Sequence, residues 1–265
     1  MARPWRLVRT GIHTAFENMA IDHVLLDACH SGTGTNTLRF YRWSPSAVSI
    51  GRFQHIQNEV NVDACKSQGI DVVRRLSSGG AVYHDFKGEL TYSIICNIEE
   101  IKLPDDVIAT YEHLCKGLLK GLRHLGVHAD FSSGKEGFCP NLFIEGRKIS
   151  GNAQSRRGNV LLQHGTILRQ LDLRQMFSFL KIRGSIPSNE VIDQVSKRLT
   201  SLQHELDEVP SFEKIEEVLI AGFSDALPAH FYDEPLTSAE LQRAQKIAET
   251  WYNTEEWTLQ RGLKQ

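Results

Sequence analysis

A chain of 265 residues with 41% hydrophobic content is long enough for one large domain, and a formal charge of −2 carries no bias toward nucleic acid. No run of about eighteen apolar residues exists to span a bilayer, and Met1-Ala2-Arg3-Pro4-Trp5 lacks the apolar core of a secretion signal, so a cytoplasmic protein without a membrane partner is expected. Cys29, Cys65, Cys96, Cys115 and Cys139 are odd in number and show no Cys-x-x-Cys spacing, which argues against a disulfide framework or a zinc site and for reduced thiols.

Read in chain order, Phe16, Met19, Ala20, His23, Val24 and Leu26 fall at helical spacing and predict an amphipathic helix over 16–30. Leu38–Tyr41 and Ala47–Ile50 read as short strands around a Ser44-Pro45 turn, 59–68 as a helix, and Asp71–Arg74 as a strand. Leu90, Tyr92, Ile94 and Cys96 alternate within Glu89–Cys96, the clearest period of two in the chain. After Pro104-Asp105 the spacing of Ile108, Tyr111, Leu114, Leu118, Leu122 and Leu125 predicts a long core helix that Gly126 ends. Leu142–Ile144 and Val160–Leu162 read as buried strands, with Glu145-Gly146 as a turn. Helices are predicted over 188–199 and 211–227, the second capped by Ser211, and Thr237-Ser238-Ala239-Glu240 has capping-box spacing before a helix that runs to about Thr250. No repeat and no Pro/Gly-rich linker interrupts the chain, so a single catalytic domain over 1–265 is expected, its part from about 188 to 257 helical and packed beside a mixed sheet.

Two segments carry chemistry. Arg74-Arg75-Leu76-Ser77-Ser78-Gly79-Gly80-Ala81-Val82-Tyr83-His84-Asp85 follows a strand and sets two cations, two hydroxyls and adjacent glycines in one turn. Glycines admit close backbone approach, successive N–H groups make a concavity for an anion, and an arginine supplies a planar fork. Tyr83 and His84 add polar tips beside it. The segment has neither the Gly-Lys-Ser/Thr ending of a P-loop nor the three spaced glycines of a dinucleotide fold. The second segment is Cys139-Pro140-Asn141-Leu142-Phe143-Ile144-Glu145-Gly146-Arg147-Lys148-Ile149-Ser150-Gly151-Asn152-Ala153-Gln154, followed by Gln163-His164-Gly165-Thr166. It offers Lys148 at the start of a strand.

With Phe16–Asp22, Leu38–Trp43, Val48–Gln54 and Trp251–Trp257 added, the chain resembles the lipoate–protein ligase A family and its octanoyltransferase and lipoyl-amidotransferase relatives over nearly its whole length. The resemblance implies an α+β fold, mixed sheets flanked by helices, of the biotin/lipoate protein ligase catalytic type. It implies attachment of a lipoyl or octanoyl group to a lysine of a lipoyl-carrier domain, such as that of a 2-oxoacid dehydrogenase E2 component or the glycine-cleavage H protein. In the ligase form, ATP and lipoate give an acyl-adenylate. Arg75, Ser77, Gly79, Gly80, Ala81, Val82, Tyr83, His84, Gly151 and His164 would hold it, Lys148 would reach its carbonyl and phosphate, and Asp85 would contact Mg2+.

The same resemblance supports a second chemistry. Relatives that move acyl groups without ATP use a cysteine ahead of the Gly-Arg-Lys segment as a thioester nucleophile, and Cys139 stands there, with Lys148 near enough in sequence to favour its thiolate. The further domain of ligases has no counterpart here, so a separate accessory subunit would have to supply it. Ser78 replaces a glycine of the ligase loop, and Pro140-Asn141-Leu142 stands where ligases carry Asn-Asp. The glycine loop directs the expectation to ATP-dependent ligation; transfer through Cys139 is the alternative.

Overall fold

The computed structural model describes residues 3–132 and 140–259. Thr14 separates β1 (Arg3–His13) from α1 (Ala15–His30), its hydroxyl accepting from Glu17 N–H while the Glu17 carboxylate accepts from Thr14, a reciprocal cap. β2 (Thr37–Trp43), β3 (Ala47–Ile50), α2 (Ile56–Glu59), α3 (Val62–Ser67), β4 (Asp71–Arg74), β5 (Val82–His84) and β6 (Glu89–Asn97) follow. Next come α4 (Val107–His124), β7 (Asp130–Ser132), β8 (Asn141–Ile144), β9 (Arg147–Arg157) and β10 (Val160–Leu168). The remainder is α5 (Leu173–Phe179), α6 (Asn189–Ser196), α7 (Leu202–Glu205), α8 (Phe212–Ala226), β11 (Ala229–Asp233), α9 (Ser238–Ile247), a π turn at Ala248–Tyr252, and α10 (Glu255–Leu259).

Eight strands form one sheet in the order β11-β1-β2-β6-β10-β9-β8-β7, and β4-β3-β5 form a smaller one. β1 runs parallel to both β11 and β2, while the pairs from β2 across to β7 are antiparallel, so the large sheet is mixed and the fold is α+β with flanking helices. Leu90, Tyr92, Ile94 and Cys96 of β6 pack with Leu114 and Leu118 of α4 and Leu219 and Phe223 of α8 in the largest apolar cluster. The alternate residues of β6 do not reach water: Glu89, Thr91 and Ser93 are buried on the other face, where α1 covers the sheet. α1 is similarly enclosed on its polar side, with Asn18, Asp22 and His23 buried beside Met19, Ala20 and Val24. Its expected amphipathicity therefore marks a polar network inside the protein rather than a solvated stripe.

Three sequence expectations change. The helix expected over 59–68 is present only as Val62–Ser67, because Val60 adopts extended backbone, pairs with Leu180 and parts it from Ile56–Glu59. The helix expected over 188–199 ends at Ser196, and Leu199 bridges to Lys148 instead. The C-terminal third is not only helical: β11 extends the large sheet beside β1, with Arg3 opposite Ala229 and Leu7 opposite Asp233. β1 is buried on both faces, Trp5 and Leu7 entering one cluster while Arg6 on the other face is itself buried and bonds Glu240 at 2.7 Å. Among the described residues no helix is long and apolar enough to cross a membrane.

Candidate active site

The two sheets face each other across a cleft. β3 and β5 and the turn from Arg75 to Ala81 make one wall, β9 and β10 the other, and Met19, Tyr41, Trp43 and Thr91 complete the lining. Of the sequence-predicted residues, Arg75, Gly79, Gly80, Ala81, Val82, His84, Lys148, Gly151 and His164 line this one space. Residues more than sixty positions apart in sequence meet here because β9 and β10 fold back over β6, with His164 opposite Ser93 on one side and Ala153 on the other.

Three expectations are corrected by the geometry. β5 alternates, so Val82 and His84 face the cleft while Tyr83 turns to the opposite side and packs against Phe179, ring centroids 5.3 Å apart. Asp85 lies beyond the wall beside Gly88 and Gln170, its carboxylate accepting from Lys87 N–H at 3.1 Å, and does not reach the cleft as a magnesium contact. Ser77 is fully buried behind the wall rather than on its surface. Cys139 lies outside the described residues; next to it in sequence, the carbonyl of Pro140 accepts from Asn152 Nδ2 at 3.2 Å, and both Asn141 and Asn152 line the cleft.

Both arginines of the loop motif are engaged by the protein. Arg74 donates to the carbonyls of Gly51, Arg52, Gln54, Trp257 and Thr258, at 2.8–3.0 Å, and so ties the 51–54 turn to α10. Arg75 donates from Nε to Ser77 Oγ at 3.1 Å, from one terminal nitrogen to Ser49 O and Oγ, both at 3.2 Å, and from the other to Ser78 O at 3.0 Å and Gly80 O at 2.7 Å. The fork expected to grip a phosphate thus holds its own loop. Gly51 makes this packing possible, since a Cβ there would stand 2.1 Å from the Gly79 carbonyl oxygen.

On the opposite wall, Lys148 is fixed through its main chain: its N–H donates to Arg198 O at 2.8 Å and its carbonyl accepts from Thr200 N–H at 2.9 Å. Its ammonium lies over the Gly151 backbone, where an added Cβ would sit 2.8 Å from Nζ. Behind it Asn152 accepts from Tyr92 Oη at 2.6 Å, an approach that requires glycine at 165, because a Cβ there would lie 2.2 Å from Asn152 Oδ1.

Two buried carboxylates reach the cleft through histidines. Asp22 accepts from Arg39 at 2.7 Å, Ser93 at 2.8 Å and Tyr41 at 3.1 Å, and its Oδ2 is 3.6 Å from His164 Nδ1; His164 Nε2 meets Ser77 Oγ at 2.6 Å. Glu89 Oε1 meets His84 Nδ1 at 2.5 Å, and His84 Nε2 meets Ser49 Oγ at 2.8 Å, with the ring stacked 3.9 Å from Trp43. Burial would raise the Asp22 carboxyl, but the Arg39 guanidinium and His164 outweigh it and hold it below the ordinary carboxylate range. Burial lowers His164, helped by the positive Arg75 and by His84 and only partly opposed by Asp22. Asp22, Glu89, Ser49 and Arg39 were not legible as site residues, because a polar residue on an apolar face gives no local sign of which buried partner it meets.

The family model described as "lipoyl protein ligase A/B catalytic domain" matches residues 14–224. The chain belongs to that family. It is 36% identical to octanoyltransferase LipM of Symbiobacterium thermophilum, over 98% of this chain and 100% of that one, and 37% identical to octanoyltransferase LipM of Carboxydothermus hydrogenoformans, over 96% and 97%. Among solved structures it is similar to a bipartite lipoate protein ligase from Thermoplasma acidophilum, studied with its E2 lipoyl domain, at a TM-score of 0.82 and 27% identity over 100% of this chain and 98% of that one. A lipoate-protein ligase A bound with ATP matches at the same TM-score and identity over 100% of both chains. The protein is therefore an enzyme of the lipoate ligase and octanoyltransferase family.

Proposed function

We propose that the protein transfers an octanoyl or lipoyl group to a specific lysine of a lipoyl-carrier domain without ATP, through a thioester on Cys139. What carries this choice over the ligation expected from the loop is the full-length kinship with relatives named octanoyltransferase. The site agrees with it chemically. Arg75 has its donors on Ser49, Ser77, Ser78 and Gly80 and Asp85 is outside the cleft, so the two side chains expected to serve a magnesium nucleotide are engaged elsewhere or out of reach, and no step is derived through one. The apolar lining that Met19, Tyr41 and Trp43 contribute suits a hydrocarbon chain.

In the first half-reaction the Cys139 thiolate attacks the carbonyl of an acyl thioester on a donor carrier. A carbon–sulfur bond forms, the donor's carbon–sulfur bond breaks, and the donor leaves as its thiolate. In the second, the free amine of the acceptor lysine attacks the Cys139 thioester, an amide forms, and the displaced sulfur takes up the proton lost by the amine. Lys148 sets a cation in the cleft, where the oxyanion of a bound acyl group would carry negative charge, an interaction worth most in a cleft that a bound chain clears of water. Incubating the protein with an octanoyl-thioester donor and a lipoyl domain, with and without ATP, tests this by intact mass. Transfer indifferent to ATP, an octanoyl adduct on Cys139 and an inert Cys139→Ser are expected; ATP-dependent turnover by Cys139→Ser would restore ligation from a free acid.

A further inference from the structure

The two buried carboxylates do not act on the cleft separately, because both chains of contacts end on one guanidinium. Asp22 leads through His164 to Ser77 and Arg75 Nε, and Glu89 leads through His84 to Ser49 and a terminal nitrogen of Arg75. Arginine only donates, so both serine oxygens accept from Arg75. An ionised carboxylate only accepts, which favours the proton of a neutral ring on Nδ1, facing Asp22 at 3.6 Å in one chain and Glu89 at 2.5 Å in the other, and leaves each Nε2 to accept from its serine hydroxyl.

We propose that Asp22 and Glu89 are positioning residues for the acyl-transfer loop, each acting through a histidine and a serine to hold Arg75 in the plane that grips the Ser78 and Gly80 carbonyls. In a trans peptide the carbonyl and the following N–H point in opposite directions, so gripping these two oxygens turns the N–H groups of Gly79 and Ala81 away from the guanidinium. Two donors so fixed, in a loop that lines the cleft, suit the carbonyl oxygen of a bound acyl group. The groups facing His164 are Asp22 from α1, Arg75 and His84 from the small-sheet side, and beyond them Arg39 from β2 and Lys148 from β9 on the same wall.

The proposal deepens the transfer reading, yet two of its three tests need no turnover. In the intact protein labelled with 15N-histidine, His84 and His164 should both show a protonated Nδ1 and an acceptor Nε2 at pH 7; a protonated Nε2 on either ring overturns the assignment. Ser49→Ala and Ser77→Ala each remove one hydroxyl and should speed hydrogen exchange of the amides at 78–81. The double variant should be little faster than either single one, since both hydroxyls bear on one planar guanidinium, which tilts when either is lost although Ser49 O remains an acceptor. Additive effects, or none, would show two independent structural bonds. In octanoyl transfer each single variant should lower kcat/KM about tenfold and the pair by no more than about twentyfold, with an unchanged melting temperature. If the parent transfers no octanoyl group while the tautomers and exchange behave as stated, the functional reading fails and the positioning role stands.

Discussion

The wall built by β9 and β10 is held by main-chain ladders, β10 pairing with β6 on one side and β9 on the other, whereas on the wall built from the β4-β3-β5 sheet the turns at 51–54 and 75–81 take their shape from the side chains of Arg74 and Arg75. The two therefore respond differently to mutation. A residue such as Lys148 sits on a backbone fixed by its own ladder and can be cut back without moving its neighbours. The glycine loop has no ladder between Arg75 and Ala81, so removing one buried cation releases several carbonyls at once. A rigid wall that presents charge and a pinned loop that presents backbone together form the cleft.

The largest expected effect breaks the pinned wall. Arg74→Met keeps the bulk but deprives the carbonyls of Gly51, Arg52, Gln54, Trp257 and Thr258 of their donor, and a buried network of charge-assisted bonds lost in this way should cost about 4 kcal/mol. Urea denaturation measures it; a loss under about 1 kcal/mol would mean that water replaces the guanidinium and that the wall stands without it. Next comes Lys148→Ala on the rigid wall. Transfer should fall at least a hundredfold, about 3 kcal/mol in the transition state, with the denaturation midpoint unchanged. Full activity would remove Lys148 from the chemistry.

Two glycines sharpen the contrast within the loop wall. Gly51→Ala sets a Cβ 2.1 Å from the Gly79 carbonyl oxygen and should destabilise by about 2 kcal/mol, since the main chain must retreat. At Gly80 an added Cβ meets nothing within 4 Å, so Gly80→Val should fold nearly as well as the parent and fail only in binding a nonhydrolysable octanoyl-thioester analogue, as calorimetry would record. Equal stability losses in the two variants would show that the loop relaxes as freely as a surface turn.

The rigid wall was legible where local pattern suffices. Leu90, Tyr92, Ile94 and Cys96 announce β6, and the positive φ of Glu145 and Gly146 fulfils the turn expected ahead of Lys148. The loop motif announced itself by composition, and it does line the cleft. Its mechanics could not be read, because an arginine beside glycines looks the same whether it waits for an anion or holds carbonyls already present; only Ser49, distant in sequence, and Ser77 show which. β1 and β11 escaped for a related reason. Their pairing joins strands as far apart in sequence as Arg3 and Ala229, and neither Arg3–His13 nor Ala229–Asp233 carries an alternation strong enough to stand alone.

The smallest effect is a pH dependence that sets the buried side of the loop wall against the rest. His164 has its pKa lowered in the folded protein, so the unfolded chain binds the proton more readily; the stability this neutral ring contributes is complete above about pH 6.5 and is lost as pH falls below it toward the folded value. Asp22 is also lowered, and its contribution persists until the pH falls through the carboxylate range, well below the window of the histidine. The parent should therefore lose stability on acidification from pH 6.5 to pH 5, as a series of urea midpoints would show. His164→Gln should make that slope shallower, though not flat, because His13, His23 and His113 are lowered by burial too. An identical slope in the variant would mean that His164 takes up its proton at no cost, and that Ser77 does not depend on a neutral ring to hold Arg75.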